Sequence, residues 1–293
     1  METNIKYLVS TTAAVLLWSA SFIATKIAYQ TFEPLMVGFI RFFSATIIIL
    51  MVRAVTKDTA RPDKKDIKIM AVSGLLGITL YFAAENIGVK LTTASNASLI
   101  VASYPAVTAL LEFLVYRIKP QVKTVVGIIF AFLGIGILTV SQGGENNNYA
   151  LWGNIILIAA GIIWAFYNFN SRKTADKYTP VTVSYFQMLF GTVFFLPLVF
   201  LEQGEIGTIN FSGIAALIYL SLGCSVGAFL LYNFGLRKLS ASTSISLMNL
   251  VPVFGIIFSA TLLKEIISLR QIIGGVIVII GVILSTATKQ KEG

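Results

Sequence analysis

The chain has 293 residues, of which 56% are hydrophobic and only 12% charged, with a formal net charge of +9. A soluble domain carries about 25% charged residues, so a water-soluble fold of this composition would expose a large apolar surface and aggregate. The basic residues sit in short stretches between apolar runs, which fits membrane orientation and argues against nucleic-acid binding.

A helix needs about 20 apolar residues to cross the hydrocarbon core. Ten segments qualify, at approximately 7–28, 35–54, 68–89, 93–115, 122–141, 151–170, 180–201, 212–234, 241–263 and 269–287. Backbone polar groups cannot be left unpaired in lipid, so helices are the expected state. The first run is too long for a signal-peptide core and reads as an uncleaved helix, with Trp18 near its middle. The second carries Arg41, seven residues past Pro34, or roughly 10 Å along a helix. The third carries Glu85, five residues before Lys90, or roughly 7 Å from that end, with Asn86 beside it. Only 55–67 and the Gly/Asn-rich 142–150 read as true loops.

The fourth segment has Tyr104 and Pro105 near its middle, and Glu112 near the end that leads to Arg117, where an interfacial ion pair is expected. The sixth carries Trp164 with Asn168 and Asn170. Tyr232 ends the eighth, and Asn249 and Pro252 lie within the ninth. Proline removes an intrahelical hydrogen bond and kinks a helix, so Pro105 and Pro252 are candidate bending points or simple curvature. Tryptophan usually favours membrane interfaces. Two mid-span copies suggest cavity walls suited to apolar or cationic solutes, with helix packing as the alternative.

Charges inside a membrane are costly and are functional candidates by default. Arg41 and Glu85 reach comparable depth, so the expectation is that they face a cavity. There they either pair with each other or bind opposite groups of a zwitterionic substrate; the alternatives are a structural salt bridge closing the outer side, or Glu85 reaching the interface beside Lys90. Glu85 is also the best-placed group to carry a coupled proton. With no histidine and one cysteine, Cys224, a zinc site, a histidine relay and an intrachain disulfide are excluded. No catalytic residue, metal site or cofactor is expected.

Taking the N-terminus as cytoplasmic, lysine and arginine divide 17 inside against 4 outside (Lys26, Lys90, Lys264 and Arg270), with Arg41 left within a helix. The positive-inside rule therefore places both termini in the cytoplasm, and the compact loops suggest a plasma membrane.

Self-comparison reveals a duplication. A shift of 146 places Trp18 on Trp164, Lys26 on Arg172 and Pro34 on Pro180; a shift of 147 places Asn86 on Asn233, Pro105 on Pro252, Gly127 on Gly274 and Gly134 on Gly281. Two repeats, 7–143 and 150–287, are expected. Five helices per repeat is odd, so the second copy would enter the membrane from the opposite side. Inverted repeats of this kind favour alternating access around a midplane site.

The paired five-helix halves, Trp18-Ser-Ala-Ser-Phe22, the Pro34-to-Arg41 stretch, Tyr104-Pro105 with Thr108-Ala-Leu-Leu111, and the glycine-spaced fifth helix resemble the EamA family of the drug/metabolite transporter superfamily. The likeness covers 7–287. It implies an all-α bundle of ten transmembrane helices in two inverted repeats around a central cavity, the fifth helix of each repeat packed outside. It further implies a secondary carrier of an amino acid, nucleobase, amine or other small metabolite, often moved outward. The family often has a Glu shortly after the fourth helix of each half. Glu265 fits that position in the second half, whereas the aligned first-half residue is Ile118 and Glu112 lies too early to inherit the role.

The expected partners are the bilayer, a small-molecule substrate and a coupled proton, in a monomer or homodimer. A channel or membrane sensor is the alternative. A membrane-embedded enzyme would need a catalytic dyad, and the deep ionisable residues are one arginine and one or two glutamates.

Overall fold

The computed structural model describes residues 2–117, 120–140, 147–175, 177–202, 209–228, 230–231, 247 and 250–286. Among these the regular structure is entirely helical. The elements are α1 (Glu2–Ala28), α2 (Pro34–Val55), α3 (Lys64–Gly74 continued through a π segment, Leu75–Leu80, into Tyr81–Leu91) and α4 (Ala94–Ala102 and Tyr104–Tyr116). There follow α5 (Val122–Val140), α6 (Asn147–Ala175), α7 (Pro180–Leu201), α8 (Phe211–Ile218 and a π segment, Tyr219–Gly227), α9 (Leu250–Leu262) and α10 (Leu269–Thr286). By length and composition α1–α4, α6 and α7 contain runs able to cross a membrane, and α5, α8, α9 and α10 contain shorter apolar runs.

Local chemistry explains where the helices start. Pro34 and Pro180 occupy the first turns of α2 and α7, where a missing N–H costs nothing and φ is already set. Thr93, Thr179 and Asn210 accept the N–H groups of Asn96, Thr182 and Gly213 at 3.1, 3.1 and 2.7 Å, relieving orphan donors. Helices α3 and α6 begin earlier than the apolar runs alone suggest, at Lys64 and Asn147, because a polar first turn needs no lipid.

Two antiparallel crossings organise the bundle. Helix α2 packs along α7. The N–H groups of Leu35 and Met36 donate to Glu202 at 2.8 and 2.9 Å. Thr46 and Thr192 share a hydrogen bond of 3.1 Å at mid-length, and the Thr182 hydroxyl donates to Asp58 at 2.8–2.9 Å. Each helix is thus tied at its start by an acidic residue just beyond the end of the other, a favourable place for negative charge. Burial alone would raise the Asp58 pKa, but hydrogen bonds from Thr179, Thr182 and the Ala60 N–H outweigh it and hold the carboxyl below its ordinary value.

The second crossing joins α5 to α10. A Cβ on Gly127 would stand 2.5 Å from the Gly281 carbonyl oxygen, and one on Gly134 2.7 Å from that of Gly274. Lipid offers no hydrophobic drive between helices, so such close backbone approach supplies the dispersion contacts instead. The outward faces of this pair carry Ile129, Leu133, Ile273, Val276 and Ile283, all exposed, as a lipid-facing surface requires.

The expected proline kinks resolve unevenly. Helix α4 breaks at Ser103, with Pro105 in the first turn of its second piece. Pro252 lies near the start of the described part of α9. Pro197, inside α7, is a third proline that pattern reading passes over.

The glycine seam yields a direct test. Gly127→Ala and Gly134→Ala should each lower stability by about 1–3 kcal/mol, read as a fall in unfolding temperature of the detergent-purified protein. Gly136→Ala, on the same helix but with nothing within 4 Å of its added Cβ, should leave it unchanged. Equal behaviour of the three variants would refute the seam.

Candidate functional site

Arg41 and Glu85 sit in one aromatic neighbourhood without forming an ion pair. The Arg41 Nε donates to the Ser225 hydroxyl at 2.7 Å, in the π segment of α8. Its guanidinium lies 4.7 Å from the Phe82 ring centroid and 5.3 Å from that of Phe42. Neither terminal amino group of the guanidinium has a hydrogen-bonding partner among the described residues. Glu85 accepts one hydrogen bond, from the Tyr81 hydroxyl at 2.7 Å, and its second oxygen accepts none there. Arg41 thus lies against Phe82 and Glu85 is held by Tyr81, neighbouring residues whose rings meet edge-on at 4.7 Å.

From that pair an aromatic wall continues. Tyr81 packs against Trp164 at 4.8 Å and Tyr104 at 6.2 Å, and Trp164 against Tyr167 at 4.8 Å. Glycine makes room for it: a Cβ on Gly77 would collide with the Tyr167 ring at 2.3 Å, and one on Gly161 with Tyr104 at 2.7 Å. The wall draws on α3, α4 and α6, and Arg41 on α2 leans against its edge.

The π segments lie beside this region in both halves. The 147-residue shift carries Leu75–Leu80 onto 222–227, within the second π segment. A π turn widens the helix, disturbs the regular ladder and is common at functional sites. In α8 the Cys224 carbonyl accepts the Trp18 indole N–H at 3.0 Å, while Ser225 turns its hydroxyl to Arg41.

The remaining expected site residues separate into several roles. The Asn86 side-chain amide donates to the Pro34 carbonyl at 3.0 Å, which ties α3 to the start of α2, and the Asn86 main-chain carbonyl accepts from the Tyr29 hydroxyl at 2.6 Å. Asn168 donates to the Trp164 carbonyl on its own helix at 2.7 Å. Tyr104 is buried and donates to the Leu157 carbonyl at 2.8 Å, so it joins α4 to α6 as well as the wall. Tyr232 and Asn249 lie outside the described residues. Among the described residues no group of side chains is spaced to hold a metal ion.

Sequence reasoning missed Tyr81, Phe82, Phe42, Tyr167 and Ser225. Tyr81 was within reach, since it lies four residues before Glu85 on one helix face. Ser225 carries no charge to mark it.

A family model described as the EamA-like transporter family matches residues 5–140 and again 151–287. The chain belongs to that family. It is 30% identical over 281 residues to an uncharacterized transporter of Archaeoglobus fulgidus, covering 94% of this chain and 96% of that protein. It is 27% identical to the uncharacterized transporter YetK of Bacillus subtilis, covering 97% and 87%. A relative from Streptantibioticus cattleyicolor, 25% identical with 92% and 90% covered, is named a probable terminal-alkyne amino-acid exporter. A solved structure titled only as the crystal structure of a protein shares the fold, with a TM-score of 0.67, 17% identity and 96% and 98% of the two chains covered. This EamA-like protein is thus a membrane transporter, and its family implies a small-molecule substrate.

The tryptophans can be told apart experimentally. Trp18→Phe keeps an aromatic ring but removes the hydrogen bond to the Cys224 carbonyl, which should cost about 0.5–1.5 kcal/mol in thermal unfolding. Trp164→Phe, whose indole N–H has no partner among the described residues, should cost less. Equal losses would contradict the role given to the Trp18 hydrogen bond.

Proposed function

We propose that this EamA-like protein is a secondary carrier that exports a small zwitterionic metabolite of amino-acid type across the cell membrane. The observation that carries the reading is a pair of incompletely satisfied charges. Among the described residues, Arg41 has two terminal amino groups without partners and Glu85 has one oxygen without a donor. Leaving charged groups unpaired in a low-dielectric interior is expensive, so the site is poised for a ligand that satisfies both. A carboxylate binds the planar guanidinium fork through parallel hydrogen bonds. An ammonium group binds the Glu85 carboxylate, and the apolar remainder lies on Tyr81, Phe82 and Trp164.

The architecture supports alternating access. The antiparallel crossings pair Thr46 with Thr192, 146 residues later, and set Gly127 and Gly134 against Gly281 and Gly274. Crossings at repeat-equivalent positions support two inverted halves, 7–143 and 150–287, about an axis in the membrane plane. Such halves exchange conformations between states of similar energy. The lysine and arginine count puts both termini, and the end bearing Asp58 and Lys177, in the cytoplasm. Protonation of Glu85 would free the ammonium group, which makes it the coupling group if a proton gradient drives export. Pro105 and Pro252 would serve as bending points, and Asn249 and Tyr232 as further cavity residues of the second half.

The reading is tested by counterflow in proteoliposomes with a panel of amino acids, their decarboxylated amines and their N-acetyl derivatives. Only the zwitterions should exchange. Arg41→Ala and Glu85→Gln should each lower the rate about 100-fold, as expected for loss of a charged hydrogen bond, while yield and gel-filtration profile stay normal. Wild-type rates in either variant, or equal exchange of the amines, would remove the zwitterion assignment.

A further inference from the structure

A depression of about 790 Å3 lies at the Asp58 end of the bundle, far from Arg41. Arg53 is twelve residues beyond Arg41 on α2, or roughly 18 Å along the helix. The lining of the depression combines the cations Arg53, Lys57 and Arg61 with the apolar side chains of Leu50, Ile67 and Phe186.

The turn after α2 is built to present those cations. Lys57 adopts a left-handed backbone with φ of 52°, which reverses the chain directly after the helix. The Arg53 guanidinium braces the turn by donating to the carbonyls of Asp58 and Ala60, and it lies 5.0 and 5.3 Å from the Tyr185 and Phe186 ring centroids. Lys57 and Arg61 are exposed, and neither side chain has an ion pair or hydrogen bond among the described residues. The one acidic residue in the lining, Asp58, is already engaged by Thr179 and Thr182. Three cations against this one carboxylate leave the described lining with net positive charge.

An apolar seam leads away from it. Leu50, Ile47 and Phe43 are exposed along α2. Phe186, Phe190 and Phe194 stack along α7 at centroid spacings of 6.5 and 6.4 Å. Because α2 and α7 are antiparallel, both rows run from the pocket into the hydrocarbon layer. A soluble anion would use the cations and leave the seam without a purpose; an amphiphile uses both.

We propose that this pocket seats the phosphate headgroup of an anionic phospholipid whose acyl chains lie along the α2–α7 seam. Juxtamembrane Lys and Arg attract anionic lipid through charge and release it when the charge is removed.

The test is native mass spectrometry of the full chain in detergent, with phosphatidylglycerol or phosphatidylcholine of identical acyl chains added. The wild type should retain phosphatidylglycerol preferentially. Lys57→Gly with Arg61→Gln, which removes two charges and suits the left-handed backbone, should weaken that retention about 30-fold with no loss of folding. Lys64→Gln with Lys65→Gln, on the same face but outside the lining, should leave it unchanged. Equal retention of both lipids by the wild type, or equal losses in the two double variants, would overturn the site. Displacement of the lipid by inorganic phosphate at the same concentration would overturn it too.

Discussion

Close backbone approach between antiparallel helices is the constraint on which the rest of this bundle depends. Where α5 meets α10, glycines at 127, 134, 274 and 281 bring main chains together so tightly that one added methyl group would overlap its neighbour. Where α2 meets α7, threonines meet at the centre and an acidic residue ties each helix start. Neither contact relies on burying apolar surface from water, which supplies little drive inside a bilayer. Packing and charge at helix termini take its place, and they fix the frame in which α3, α4, α6 and α8 present their side chains.

Within that frame the two charges of the proposed site are positioned by their supports. Ser225 takes one face of the Arg41 guanidinium and the Phe82 and Phe42 rings take another, so the cation is positioned without being neutralised. Tyr81 does the same for Glu85 with a single hydrogen bond. Away from the aromatic wall the ends of the helices are more completely paired. Glu265 accepts the Ala94 and Ser95 N–H groups at 2.9 and 3.1 Å, which gives the glutamate after the fourth helix of the second half a helix-capping role. Asp66 joins Lys177 and Tyr178 at 3.0 Å. Polar residues at the ends close contacts between helices.

The deep charges and the duplication were legible in the sequence because their signals are categorical. A charge in an apolar run marks Arg41 and Glu85, and proline, glycine and tryptophan at fixed offsets expose the duplication. The supports were harder to see. Asn86 reads as a cavity residue, yet its amide is taken by Pro34, since a helix start two elements away is invisible to local pattern. The π segments follow from packing and leave no periodicity of their own over six or nine residues. Glu202 looks like an ordinary loop acid until α2 is laid beside α7. A direct Arg41–Glu85 pair is not formed among the described residues, where Arg41 donates to Ser225 and Glu85 accepts from Tyr81.

The proposed inversion can be tested at one pair of positions. Lys64 and Phe211 are exposed, follow the second helix of their respective halves and differ by 147 in number. Single cysteines placed there in a Cys224→Ser background should react with a membrane-impermeant maleimide from opposite sides of the cell membrane, residue 64 from the cytoplasm and residue 211 from outside. Labelling of both from the same side would contradict the inverted pair, and the carrier cycle built on it.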